Sequence, residues 1–565
     1  MVIGRKRGWN GVARGCAAVV LAVAFAVPGA WGQHIHASAR RHHKVTLAAS
    51  IHTLLAEPKV EGAHWGISVT RMDGTPVYAL NDDKLFQPAS NVKLFTTAAA
   101  LGLVGGDKTW KTTARVDGYM AGTKTAKGDV TIFGDGDAYL SDRPVPYNVK
   151  TETFTPTLAV LDSMATQLAK SLIQSGITTV DGDVIGESLY AWQPYGEGWN
   201  NDDLAWGYGA PVSGLVVNDN QLQLTVTPGP RRGPQTTLTL APDMPYYTIE
   251  NKVVTGEAKS ATVIEVERTE RALRITGSIA IDAPSDIEQI AIGDPEAYVA
   301  MAFKIFLEQH GITVTGKSRS QHSYALNNLS TRETIREPLD LEEMKVAGPP
   351  IVDSMQMCGS GCDRSGKNCF DSCATLPREL AYVQHESPQL IDDVVITNKV
   401  SQNLHAELLL RKLAEWPFVY ERGKMTFAQG ARRVRQFAVN AGVGADDFYF
   451  VDGSGLSTYD VATPRAFTTL LRYAVGQPWE ADWKASLPVG GVDGTLEHRF
   501  TEAPLKGKVF AKTGTLSEDR ALSGYLVCAS GKTVVFSILV GNHLPGSHED
   551  REVMDKIVAA IAAAN

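Results

Sequence analysis

The chain has 565 residues, 44% of them hydrophobic, with 54 lysines and arginines against 62 aspartates and glutamates and a formal charge of −8. Hydrophobic content of this size permits real cores, and one core rarely grows beyond ~250–300 residues, so several domains are expected. The charge is modest and spread out, and it gives no basis for a nucleic-acid partner.

At the start of the chain, Arg5, Lys6, Arg7 and Arg14 precede an apolar run at 16–27, and Ala30-Trp31-Gly32 supplies a small-x-small cleavage site before Gln33. The run falls short of the roughly 20 residues that a membrane span takes. Residues 1–32 therefore read as a secretory signal peptide, with a retained anchor as the alternative. The mature protein is expected outside the cytoplasmic membrane, periplasmic or associated with the cell wall, with at most peripheral membrane contact. Residues 33–45 are basic and histidine-rich and read as a disordered leader; a metal-binding tail is the rival reading.

Residues 46–112 hold the first part of one domain. Within it, 64–81 reads as two strands joined by an Asp73-Gly74 turn. Ser90-Asn91-Val92-Lys93 follows, opening a buried helix. Lys93 lies one helical turn after Ser90, so the two side chains share a face. Taken alone, the pattern is common, and a capped helix start with a surface lysine explains it equally well.

From about 113 to 385 the pattern changes. Runs at 128–136, 221–229, 236–242 and 272–281 alternate with period two between turn residues, which indicates β-rich modules. Asp135 and Asp137 read as part of a turn, because the later glutamate of a calcium loop is lacking. One amphipathic helix, 294–311, interrupts the strands and ends at Gly311. Cys358, Cys362, Cys369 and Cys373 cluster near the end of this region. In an oxidising compartment they read as two local disulfides with three connectivities open; a zinc site is the alternative, although the three-residue spacers exceed the usual two. Cys528, far from them, reads as a buried core thiol.

Residues 386–565 carry two further triplets, Ser401-Gln402-Asn403 and Lys512-Thr513-Gly514, and end in a helix with one apolar face. Ser401 and Asn403 could simply cap a helix, and Lys512-Thr513-Gly514 could be a plain strand end. In this order, however, the three motifs spell a serine acyl-transfer site, in which a hydroxyl needs a neighbouring base to become a nucleophile. Lys93 and Ser401 are 308 positions apart, Ser401 and Lys512 only 111. One domain does not need the longer spacing, so 113–385 is an insertion.

These motifs and their flanks resemble the penicillin-recognising serine acyltransferases, and within them the D-Ala-D-Ala carboxypeptidase/endopeptidase branch, the low-molecular-mass class C penicillin-binding proteins of peptidase family S13. The stretch from Gly198 through Asp203 and Tyr208 to Gly229, the segment 451–457 and the segment 487–496 resemble further parts of that branch. The cysteine-bearing stretch near 358–373 departs from it. The resemblance implies an α/β fold, a penicillin-binding/β-lactamase-like serine transpeptidase domain whose antiparallel sheet is flanked by helices, with the β-rich insertion forming two nested extra domains.

The same resemblance implies roles. Ser90 would attack the bond between the two terminal D-alanines of a peptidoglycan stem peptide, and Lys93 would be the base, its pKa depressed by burial and by Lys512. Ser401 would relay a proton to the leaving amine, and Asn403 would bond the substrate amide. Lys512 and Thr513 would line a strand edge along which Gly514 leaves room for the substrate. Thr515 would bind the terminal carboxylate, its N–H joining that of Ser90 in the oxyanion hole. Asp203 and Tyr208 would stand near the stem, with Ser454, Gly455 and Leu456 opposite; the other reading of Asp203 and Tyr208 is that they tie the insertion to the core. Asp452 reads as a turn residue. No metal or cofactor is implied, and β-lactam antibiotics would be covalent inhibitors. A β-lactamase, and a catalytically silent peptidoglycan-binding or penicillin-sensing protein, are the competing readings.

Overall fold

The structure, a computed structural model, describes residues 46–565 apart from 123, 142, 151–154, 326–359, 363–368, 372–377 and 416–424. Residues 1–45, expected to be signal peptide and leader, lie outside the described residues, as do Cys358 and Cys373.

A five-stranded antiparallel sheet joins the two ends of the chain. Its order is Pro76–Leu80, His64–Arg71, Thr533–Gly541, Arg520–Val527 and Val509–Thr515. The period of two sorts the side chains of the central strand onto two faces. Val534, Phe536, Ile538 and Val540 join Ile51, Val553, Ile557 and Ile561 of the two terminal helices, Leu47–Leu55 and Glu549–Ala564. Val535 and Leu539 face the opposite way, into a larger core with Phe95, Phe467 and Leu470. Tight turns set the register: Gly74 takes φ +89° in the first hairpin, and Gly531 takes +82° in the last. Cys528 lies in the core, 5% exposed, and its thiol is pushed up by burial.

Helix Val92–Leu103 is the centre of the larger core, and every residue from Val92 to Leu101 is buried. A helix that is apolar all round must be covered all round. Phe95 sits among the rings of Phe448, Phe450 and Phe467 at 5.4, 5.1 and 5.3 Å. Helices Leu390–Lys399, Asn403–Glu415, Phe427–Asn440 and Pro464–Ala474 pack around it. Thr426 and Gln429 form a capping box at one of them, and Thr463 caps another ahead of Pro464.

Between these parts the chain makes a long excursion. It leaves along Lys111–Ala121 and returns along Arg378–Glu386, and the two strands pair antiparallel from Lys111↔Glu386 to Arg378↔Gly118. An eight-stranded mixed sheet is built on that pair and packs against helices Ala159–Gln174 and Pro295–Gln309. The second helix has Asp294 as its N-cap and Pro295 at its first position, with Gly311 at φ +88° just beyond its end. Residues 221–291 form two three-stranded sheets nested within the excursion. Strands Ser360–Cys362 and Cys369–Asp371 pair with Cys362 opposite Cys369. Among the described residues no helix is long and apolar enough to cross a membrane.

Candidate active site

Ser90 lies in a single 3-10 turn, Ala89–Asn91, immediately ahead of the buried helix. The turn keeps Ser90 half-exposed while Lys93, three residues on, is 0% exposed. Lys93 Nζ has three oxygen neighbours: Ser90 Oγ at 2.9 Å, Asn403 Oδ1 at 2.7 Å and the Ser454 carbonyl at 2.7 Å. The last two are acceptors only. A neutral amine in this place spends its two N–H bonds on them, and its lone pair is left facing the Ser90 hydroxyl. Burial is what depresses the Lys93 pKa, to about 7, against the opposing charges of Asp452, Glu407 and Asp460. Lys512 is held well below its ordinary value, first by burial and then by Lys93. The two lysines repel each other, and at both of them burial is the larger cause.

The second motif sits between helices Leu390–Lys399 and Asn403–Glu415. Ser401 adopts φ +64°, a turn that brings its Oγ to 2.8 Å from Lys512 Nζ. Lys512 also donates to the Thr513 carbonyl at 2.8 Å. Asn403 is engaged at both ends, accepting from Lys93 and donating through Nδ2 to the Tyr208 carbonyl at 2.9 Å. The flank of this motif is anchored as well. Lys399 Nζ reaches both Asp493 oxygens at 2.7 and 2.8 Å and the Leu487 carbonyl at 2.7 Å, and so fixes the 487–496 segment.

That segment covers half of the edge strand. Gly490 N donates to the Val509 carbonyl, and Ala511 N donates to the Pro488 carbonyl. By the two-residue period, Thr513 and Thr515 turn their N–H and C=O groups toward the same side, beyond the covered part. Both side chains are half-buried, and Thr513 Oγ1 bonds Thr495 Oγ1 at 2.8 Å. The arrangement leaves a short length of strand edge beside Ser90.

Three expectations change. A Cβ on Gly514 would lie 2.6 Å from the Pro88 carbonyl oxygen and 3.1 Å from Ala89 Cβ. Gly514 therefore makes room for the Ser90 turn, not for substrate, because this face of the strand packs directly on Pro88-Ala89. Ser454 is 0% and Leu456 6% exposed, so neither side chain faces an open surface. Ser454 acts through its carbonyl on Lys93, and Leu456 packs inward. Loop 451–457 lies against the same turn, and Gly455 at φ +77° would place a Cβ 1.9 Å from the Ala89 carbonyl. A side chain there is excluded by both strain and space.

Asp203 and Tyr208 stand together at the mouth. Tyr208 Oη donates to Asp203 Oδ1 at 2.9 Å, and Tyr208 is 37% exposed. Burial, then Asp203, raises the phenol pKa; burial also raises that of the carboxyl, outweighing its bonds from Tyr208 and Asn200. Through its carbonyl on Asn403, Tyr208 ties the excursion to the second motif. Asp135 and Asp137 are placed at the root of the excursion, where Asp135 accepts from Lys111 N at 2.6 Å and Asp137 meets His385 Nδ1 at 2.6 Å. Among the described residues no cluster of histidine, cysteine and carboxylate side chains is arranged to hold a metal.

Sequence reading missed several supporting residues. Asn91, inside Ser-x-x-Lys and fully buried, accepts from Ser523 Oγ at 2.7 Å and donates to the Lys512 carbonyl at 2.9 Å, which pins the nucleophile turn to the edge strand. Asp219, buried at φ +54°, meets Arg143 at 2.5 Å, Gln402 Nε2 at 2.8 Å and His405 Nε2 at 3.3 Å. His405 reaches Asp393 at 3.1 Å on its other side. The middle residue of the second motif is thus held by the excursion. Gln402 gave no such signal, but His405 and Glu407 lie two and four residues after Asn403 at the start of a buried helix, where charged side chains are rare.

The family model for D-Ala-D-Ala carboxypeptidase 3 (S13) matches residues 47–328 and 373–564. A D-alanyl-D-alanine carboxypeptidase of Actinomadura sp. (strain R39) is 28% identical over 554 residues, 95% of this chain and 89% of its own length. The penicillin-sensitive carboxypeptidase A of Dictyostelium discoideum is 23% identical over 521 residues, 88% of this chain and 87% of its own. Penicillin binding protein 4 from Haemophilus influenzae has the same fold, with a TM-score of 0.68 at 19% identity over 90% of this chain and 98% of that one.

Proposed function

Because the chain belongs to the D-Ala-D-Ala carboxypeptidase 3 (S13) family, we propose that it is a serine-type D-Ala-D-Ala carboxypeptidase that works through an acyl-enzyme on Ser90, also cuts D-alanyl cross-links as an endopeptidase, and is inhibited covalently by β-lactams. The observation that carries this reading is Lys93, fully buried, depressed to about 7, and held by two acceptor-only groups so that its lone pair meets the Ser90 hydroxyl.

The chemistry follows from those contacts. Lys93 Nζ takes the Ser90 proton as Oγ bonds to the carbonyl carbon between the two terminal D-alanines. N–H groups of Ser90 and Thr515 would hold the developing oxyanion, each such donor being worth ~2.7–4 kcal/mol. As the C–N bond breaks, the proton taken by Lys93 is relayed through Ser401 Oγ, which Lys512 Nζ holds at 2.8 Å, to the leaving D-alanine amine, and Lys93 returns to the free amine. Water then attacks the acyl carbon as Lys93 accepts its proton, and Lys93 gives that proton to Ser90 Oγ as the ester C–O bond breaks. The stem peptide would extend along the open edge at Thr513 and Thr515 as an added strand, past Asp203 and Tyr208. Such a substrate lies outside the cytoplasmic membrane, in agreement with a secreted, periplasmic or wall-associated protein.

The test is release of free D-alanine from a peptide ending in D-Ala-D-Ala. The wild type is expected to release it, and Ser90→Ala is expected to release none above background. Release by Ser90→Ala at the wild-type rate would sink the proposal.

A further inference from the structure

Beneath the base lies a group of carboxyls that the chemistry above does not use. Glu407, Asp452 and Asp460 are 0, 1 and 0% exposed. Glu407 is four residues after Asn403 on the same helix, so both side chains point to one side. Its two oxygens accept from Gly453 N at 2.9 Å and Ser454 N at 2.8 Å. The peptide unit at Ser454 is therefore gripped on one side by Glu407, while the Ser454 carbonyl grips Lys93 at 2.7 Å. Asp452 is occupied by the N–H groups of Gly455 at 2.7 Å and Ser457 at 2.8 Å and by Trp199 Nε1 at 2.8 Å. Asp460 accepts from Val451 N at 2.7 Å.

We propose that Glu407 is the positioning residue of the general base: it fixes the loop whose carbonyl holds Lys93 against Ser90, and through that carbonyl it sets how readily Lys93 keeps its extra proton. This rests on the acyl-enzyme reading of Ser90 and Lys93. The groups facing Lys93 are Glu407 from its helix, Asp452 and Asp460 from the 451–460 loop, and Lys512 from the edge strand. Glu407 also faces Arg411, one turn along. Burial, with Asp452 next, pushes the Glu407 carboxyl up to about 8, while its two N–H bonds favour the ionised form. The Ser454 carbonyl that Glu407 holds in place accepts from Lys93 at 2.7 Å and so favours its ammonium; once that carbonyl is loosened, the free amine persists to lower pH. The loop grip works in the other direction on rate, because a base that is not held beside the hydroxyl accepts its proton less often.

The experiment is the second-order rate constant for acylation by benzylpenicillin, measured across pH for the wild type, Glu407→Gln and Glu407→Asp. In the wild type, the acid limb reports the free base. Glu407→Gln should move that limb to lower pH by about one unit and lower the plateau at least ~10-fold. The conservative Glu407→Asp, which keeps both acceptor oxygens but draws them back by one methylene, should fold and show a smaller shift in the same direction. A limb that stays in place in any folded variant, with the rate scaled down equally at every pH, would make Glu407 a packing residue and overturn the proposal. Failure of the wild type itself to be acylated would overturn the acyl-enzyme reading and this proposal together. An acylated wild type with unmoved limbs in the variants would overturn this proposal alone.

Discussion

Replacing Gly514 by alanine tests how the edge strand and the nucleophile turn fit together. The new Cβ would stand 2.6 Å from the Pro88 carbonyl oxygen, where ordinary contact begins near 3.4 Å, and 3.1 Å from both Ala89 Cβ and Ala521 Cβ. None of these neighbours is the end of a flexible side chain. Relief therefore requires the strand and the turn to separate by about 0.8 Å, the shortfall against ordinary contact. Overpacking of this kind costs about 1–3 kcal/mol, which lowers the thermal midpoint by roughly 2–4 °C per kcal/mol for a domain of this size. The same displacement moves Ser90 relative to the Thr515 N–H and to Lys512, and a misplacement near 1 Å can slow chemistry by roughly 100-fold. Acylation by benzylpenicillin should thus fall about 10- to 100-fold, alongside a lower midpoint in differential scanning calorimetry. If Gly514 instead made room for substrate, the midpoint would stay put and only peptide KM would rise. That outcome would refute the packing argument.

Two other perturbations follow from the buried supports. Burial opposes a charged His405, but Asp219 and Asp393 outweigh it and raise its pKa. A group raised on folding stabilises fully below its unfolded value of ~6.5 and loses that contribution as pH climbs through the folded value. Urea midpoints of the wild type should therefore decline as pH rises above ~6.5 more steeply than those of His405→Gln; parallel curves would contradict the assignment. Asn91→Ala should leave the Lys512 carbonyl buried without that partner, costing about 1–3 kcal/mol, and should slow acylation without altering its acid limb. A variant with wild-type stability and rate would show that Asn91 does not join the turn to the strand.

The fold was readable where local rules decide it. The Asp73-Gly74 hairpin, the period-two strands of the excursion and the helix from Pro295 to Gly311 each carry their own signal. The meeting of N-terminal and C-terminal strands in one sheet has no such local signal and came from the resemblance of motifs far apart in the chain. At the site, sequence supplies residue types and tertiary packing supplies their directions. Gly514 could be read as a gap, but only the position of Pro88 shows what fills it. Ser454 is expected to be a substrate contact on the resemblance alone, whereas the part that reaches the site is its carbonyl, on Lys93. Asp219 lies 182 positions before Ser401 in the chain, and no spacing rule connects it to Gln402.

The most direct measurement is the intact mass of the protein after excess benzylpenicillin, followed by peptide mapping. The account predicts a single added penicillin located on Ser90, absent in Ser90→Ala and formed only slowly when Lys93 is replaced by methionine. An adduct elsewhere, or rapid formation with methionine in place of Lys93, would contradict a serine activated by a buried lysine. Penicillin consumed with no adduct would point to a β-lactamase instead.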